Sequence, residues 1–176
     1  MQWVGLVRNV MLGRQGLSRA VLLEAVGDAG GREPRSYLTT GNISFVAPPG
    51  DLDDVVERIE AGVAAALGRA ELVAVRSLDA LRDLVAVDRF AAFAGEDWET
   101  EVSFLRHDAP PLDERRIAYP RQTVIVDVRP HEVLAARPRS GGARPHVNRL
   151  LEEATGCPAT ARGWSTLRRV VAALDG

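Results

Sequence analysis

The 176-residue sequence predicts an α+β protein, a tandem duplication of a ferredoxin-like βαββαβ unit with an extra C-terminal helix. Three observations carry this. Strand-type and helix-type periodicities follow one another in the order βαββαβ from Met1 to Arg76, the same order returns from Val102 to Arg162, and one more amphipathic run ends the chain. The expected organisation is a first subdomain over 1–76, a linking helix and loop over 77–101, a second subdomain over 102–162 and a C-terminal helix over 163–176.

Each element has a local reason. Trp3 to Arg8 reads as a strand, and Ser18 then caps a helix that keeps Val21, Leu22, Ala25 and Val26 on one face until Gly30-Gly31 stops it. Ser36–Thr40 and Asn42–Val46 are two strands joined around Gly41. Asp51 caps a helix whose Leu52, Val55, Val56, Ile59, Val63 and Leu67 hold helical spacing as far as Gly68. Leu72–Arg76 completes the first unit. Ser77 caps the linking helix, with Leu78, Leu81, Leu84 and Val85 on its apolar face, and the acidic stretch from Gly95 to Glu101 marks the boundary between the halves. In the second unit the pattern predicts a strand over Val102–Arg106, a short helix over Leu112–Ile117, strands over Thr123–Val128 and Glu132–Ala136, a helix over Pro145–Thr155 and a strand over Ala159–Arg162. The last helix, Ser165–Leu174, repeats Leu167, Val170, Val171 and Leu174 on one face.

Composition narrows the function classes. Hydrophobic content of 46% and a mean hydropathy of −0.06 are those of an ordinary globular chain. No apolar run approaches the roughly 20 residues that span a bilayer, and the N-terminus lacks the pattern of a secretory leader, so a cytoplasmic protein without membrane contact is expected. Cys157 is the only cysteine, which excludes an internal disulfide. All 22 basic residues are Arg, so neither a lysine Schiff base nor a P-loop lysine is available. A net charge of −2 argues against bulk nucleic-acid binding.

The segment Tyr37-Leu38-Thr39-Thr40-Gly41-Asn42 is crowded with hydrogen-bonding groups where a plain hairpin needs only a turn. Together with Arg8 and Gly13 near the start and Thr160, Arg162, Trp164 and Thr166 near the end, it resembles a widespread, mostly bacterial family catalogued as domain of unknown function 1697. That family carries Arg-Gly-Ile-Asn-Val-Gly, Tyr-Leu-Gln-Ser-Gly-Asn-Val and Thr-Thr-Arg-Asn-Trp-Asn-Thr-Val segments. Here Asn9 stands at the Gly and Met11 at the Asn of the first segment, and Thr39 and Thr40 replace Gln and Ser in the second. Ala161, Gly163 and Ser165 replace Thr and two Asn in the third. Asn148 and Glu152 look like the family's Asn and Glu on the penultimate helix. The resemblance implies two ferredoxin-like halves and supplies no activity. It also implies that any family site built from amides is partly dismantled in this chain.

In a βαββαβ sheet the end of the first strand lies beside the turn between the second and third, which groups Arg8 and Asn9 with Thr40, Gly41 and Asn42. Gly41 is expected at positive φ or in tight backbone contact, and the Asn42 side chain is expected to bond backbone near Arg8–Met11 and not to project freely into solvent. The loop from Asn9 to Leu17 brings Gly13, Arg14 and Gly16 to a helix start suited to an anion. Turn chemistry alone accounts for the same Gly and Asn. In the second half the corresponding argument selects the opposite sheet edge. There the Arg-rich loop 137–144 is expected to meet Arg162-Gly163-Trp164 near helix starts at Pro145 and Ser165, unless that loop is simply solvated and Trp164 is a core anchor.

The candidate ligand-binding set is therefore Arg8, Asn9, Arg14, Thr40, Asn42, Arg144, Asn148, Arg162, Trp164 and Thr166. His107, His131 and His146 lack zinc-site spacing, and Ser44, Ser103 and Ser140 lie outside any nucleophile-elbow motif, so neither metal, cofactor nor catalytic residue is predicted. Glu96, Asp97, Glu99 and Glu101 around Trp98 read as a solvated linker. The leading expectation is a protein that binds a small anionic or nucleotide-like ligand at polar strand ends. The alternatives are an enzyme acting on a phosphorylated or acyl substrate and a non-catalytic scaffold or protein-interaction module.

Overall fold

The computed structural model describes residues 1–14, 16–113, 117, 123–139 and 147–176. The chain divides into one compact unit of Met1–Arg82 with Val170–Gly176 and another of Asp83–Arg169. Each is built on a four-stranded antiparallel sheet, and the described residues form five α-helices. None of these helices is long and apolar enough to cross a membrane.

The first unit runs β1 (Gln2–Val7), α1 (Arg19–Asp28), β2 (Arg32–Tyr37), β3 (Asn42–Val46), α2 (Leu52–Leu67) and β4 (Val73–Ser77), with sheet order β2-β3-β1-β4. Because β3 is antiparallel to both β1 and β2, those two strands point the same way. Strand alternation sends Val7, Ile43, Phe45, Val73 and Val75 to the face covered by Leu22 and Val26 of α1 and Val55, Val56, Ile59 and Val63 of α2. Full burial of such side chains stabilises by about 1.5–3 kcal/mol each before ordering entropy is counted. The two helices approach closely because Gly62 carries no side chain; a Cβ there would lie 2.8 Å from Ala25 Cβ.

Ser18, Gly68 and Ser77 act at helix ends as the sequence suggests, whereas Asp51 does not. Ser18 Oγ accepts the Val21 N–H at 3.2 Å, and α2 ends on Gly68 at φ 70°, whose N–H reaches Ala64 O at 2.8 Å. Asp51 occupies the cap position of α2 without a side-chain bond to the helix. Ser77 Oγ accepts from Ala80 N at the start of α3 (Leu78–Val85).

The second unit contains β5 (Trp98–Leu105), β6 (Val124–Val128), β7 (Glu132–Pro138), α4 (Val147–Thr155) and β8 (Ala159–Gly163), in sheet order β6-β7-β5-β8. Leu105, Val133, Ala135 and Ala159 of the sheet pack with Val147 and Leu151 of α4. Helix α5 (Trp164–Asp175) begins directly after β8, one residue before the expected Ser165.

Two strands depart from expectation for the same reason, a polar sequence stabilised by cross-strand partners. Strand β2 starts at Arg32 and ends at Tyr37, whereas Ser36–Thr40 was expected. Its Arg-Glu-Pro-Arg start suits an edge strand, and the pairing with β3 shifts register between Arg32 and Arg35. Strand β5 takes up Trp98–Glu101 from the supposed acidic boundary, because Glu99 stands directly opposite Arg137 of β7. Residues 114–116 of the expected helix over Leu112–Ile117, and the expected first residues of α4 at Pro145 and His146, lie outside the described residues.

Gly41 has φ 66°, and a Cβ there would stand 2.9 Å from Val7 Cβ, so both the conformation and the space require glycine. Gly41→Ala is expected to lower stability by at least about 2 kcal/mol in urea unfolding, with an unchanged m-value.

Candidate functional site

The end of the first sheet gathers Arg8, Asn9, Thr40 and Asn42, as strand direction requires. Val7 N donates to Gly41 O at 2.8 Å, Arg8 N to Leu72 O at 2.8 Å and Leu12 N to Thr39 O at 2.8 Å, so the chain leaving β1 is stitched to both neighbouring loops. Asn42 is fully buried. Its Nδ2 donates to Tyr37 O and to Thr40 Oγ1, each at 3.0 Å, so both amide N–H groups close its own turn. Next to it, Tyr37 Oη and Ser44 Oγ share a hydrogen bond of 3.3 Å.

Backbone conformations at this end are unusual. Asn9 (φ 51°) and Leu38 (φ 59°) are left-handed, as are Gly13, Gly16 and Gly41. A leucine in this region is rare, and its cost is met by the surrounding hydrogen bonds. Arg14 is exposed and takes part in an isolated bridge with Leu17, just before the first turn of α1.

Two residues that sequence reading missed organise the cluster. Glu71 is buried, and its Oε1 accepts from Arg69 Nε at 2.8 Å while its Oε2 accepts from Asn9 Nδ2 at 3.4 Å. Arg8 Nη1 lies 3.9 Å from the same Oε2, and Arg69 Nη2 donates to Asn9 O at 3.2 Å. The signal for them was weak, a lone Arg-Ala-Glu before an apolar strand.

Of the second expected site, loop residues 140–144 and the helix start at Pro145 lie outside the described residues, and the two arginines that are described at this edge, Arg137 and Arg162, take opposite faces of the sheet. Arg137 stands opposite Glu99 and on the α4 side with Val133 and Ala135, whereas Arg162 stands opposite Val102 on the other side of the sheet. Both strands end at the same edge, but alternation aims the two guanidinium groups apart. Arg137 Nε donates to Glu99 Oε2 at 2.8 Å and its Nη2 lies 3.5 Å from Glu101 Oε2. Arg139 N and Nε bond Asp97 O and Trp98 O. The acids read as a solvated linker thus draw on the positive charge expected for an anion. Arg149 pairs with Glu153 on exposed helix surface at 2.8 Å, and Arg144 lies outside the described residues.

Arg162 is 7% exposed, with Nη1 donating to Thr160 Oγ1 at 3.1 Å and to Ala161 O at 2.8 Å. Burial pulls its pKa down from the ordinary arginine value to about 10. Because the folded value is the lower one, the unfolded chain binds the extra proton between these limits, so this group's contribution to stability grows as pH rises through about 10.

Trp164 packs edge-on against Phe90, with ring centroids 5.1 Å apart, and donates from Nε1 to Asp88 Oδ1 at 3.0 Å. It is a core anchor. Thr166 is half-buried on the first turn of α5. Asn148 sits on the first turn of α4 with Oδ1 buried and without a partner among the described residues, while Glu152 one turn later accepts the Ala159 N–H at 3.0 Å and ties α4 to β8. Among the described residues, no three or more His, Cys, Asp or Glu are grouped to hold a metal ion.

A buried Arg162 acts on stability first. Arg162→Ala is expected to cost about 2–4 kcal/mol in chemical denaturation, against less than about 0.5 kcal/mol for an exposed ligand-contacting arginine.

Comparison with known proteins agrees with this architecture. Residues 1–128 match the model of a protein family of unknown function, DUF1697. The solved structure of the conserved bacterial protein SP0830 from Streptococcus pneumoniae is similar over 99% of this chain and 98% of that one, with a TM-score of 0.72 at 15% identity, a likeness of fold. A comparison with curated proteins found no match. With the family model matched over residues 1–128, most of its length, the chain belongs to the DUF1697 family.

Proposed function

We propose that this protein binds a small anionic, nucleotide-like ligand, and that its phosphate sits at the loop end of the first sheet. One observation carries the reading. The loops that meet there, residues 8–19, 38–42 and 69–72, hold Arg8, Arg14, Arg19 and Arg69 against a single carboxylate, Glu71. Arg14 is exposed and makes no side-chain hydrogen bond or ion pair among the described residues, and Arg19 opens α1, whose first N–H groups have no helical partners of their own. The arginines of the second sheet edge offer less, since Glu99 and Glu101 already engage Arg137.

Inorganic phosphate and adenosine monophosphate are expected to raise the melting temperature. Arg14→Ala is expected to weaken phosphate binding about tenfold in calorimetry, the equivalent of one charge-assisted bond near 1.4 kcal/mol, without changing the ligand-free melting temperature. Failure of every phosphate-bearing compound to stabilise the protein overturns the reading.

The second unit, in the same proposal, duplicates the first on a ferredoxin-like plan. The orders β2-β3-β1-β4 and β6-β7-β5-β8 support it by corresponding position by position. A crystal structure is expected to show a helix between β5 and β6; an extended segment there removes the duplication.

A further inference from the structure

Glu71 precedes β4 with its side chain only 4% exposed, at the same sheet end as the proposed phosphate site. A buried carboxylate beside an anion site opposes binding by simple Coulomb repulsion. Its contacts suggest what offsets that penalty. One carboxylate oxygen receives Arg69 Nε at 2.8 Å; the other receives Asn9 Nδ2 at 3.4 Å and lies 3.9 Å from Arg8 Nη1. Arg69 then returns to the Asn9 carbonyl at 3.2 Å. Asn9 is thus gripped at its side chain and its backbone while it holds φ 51°, the conformation that turns the chain from β1 into the loop carrying Gly13 and Arg14.

We infer that Glu71 is the positioning residue of this site, an inference that rests on the phosphate reading above: it holds Asn9 left-handed and orients Arg8, so that the loop reaching α1 presents its donors in one geometry. The residue acts through Asn9, Arg8 and Arg69 and does not itself touch the ligand. Its removal therefore has opposite predicted signs under the two accounts. Loss of a nearby negative charge alone tightens anion binding, whereas loss of a positioning group loosens it.

The test measures the Kd of inorganic phosphate by calorimetry, well below the melting temperature, for the wild-type protein, Glu71→Gln and Glu71→Asp. Gln keeps the size and loses the charge-assisted grip on Arg69; Asp keeps the charge and loses one methylene of reach. Both variants are expected to bind phosphate about tenfold more weakly, a change of about 1.4 kcal/mol, and to show faster amide hydrogen exchange from Asn9 to Gly13. Equal or tighter binding by Glu71→Gln overturns the inference, as does a lowered melting temperature with unchanged Kd, which marks a purely structural role. If wild-type protein binds no phosphate, the phosphate reading and the positioning role fall together, a pattern distinct from the other two.

Discussion

Strand β1 is hydrogen-bonded along both edges, to β3 on one side and β4 on the other, and the pairing continues beyond its last residue. Val7 N reaches Gly41 O and Arg8 N reaches Leu72 O. A central strand held in this way cannot slide by one residue without exchanging its apolar and polar faces, because the side-chain period is two. The position of everything at the end of the first sheet follows from that constraint. Asn9 emerges beside Glu71, the turn carrying Asn42 lies against Val7, and the loop to α1 is delivered over both. β5 has the same central place in the second unit, between β7 and β8. Its consequence there differs, since its polar start meets Arg137.

The polar ends of the two sheets differ in electrostatics. At the first, one carboxylate is shared among Asn9, Arg8 and Arg69, and it is buried, where an ion pair keeps more of its strength than at a surface. Around the second, Arg137 has a directly opposed Glu99 and a diagonal Glu101, and a cross-strand pair of this kind adds only about 0.2–1 kcal/mol. That contribution is modest, but it redirects the arginine: a guanidinium committed to two carboxylates has little remaining attraction for an incoming anion.

Helices with capping chemistry and a clean apolar stripe were legible from the residues alone. Ser18, Gly68 and the run from Leu52 to Leu67 mark boundaries close to those observed, because the forces involved act within a few residues. The strands that escaped, the first half of β2 and the first half of β5, are polar and depend on partners distant in sequence. Glu99 finds Arg137 across 38 positions and Asn9 finds Glu71 across 62, separations at which no local pattern reports. The gathering of Arg8, Asn9, Thr40 and Asn42 was readable from strand direction. The aim of Arg162 is set by strand alternation, since Thr160 and Arg162 share one parity of β8 and Ala159 and Ala161 the other.

The start of β2 has a consequence for how the protein behaves in a crowded solution. An outer strand offers a row of backbone donors and acceptors to any passing extended chain. Here Pro34 removes one of those donors, Glu33 at φ 51° breaks the pleat, and Arg32 and Arg35 surround both with like charge. A second molecule cannot extend this sheet in register past Pro34, so the irregular pairing that hid the strand from its sequence pattern also guards the first unit against fibre-like growth at that margin.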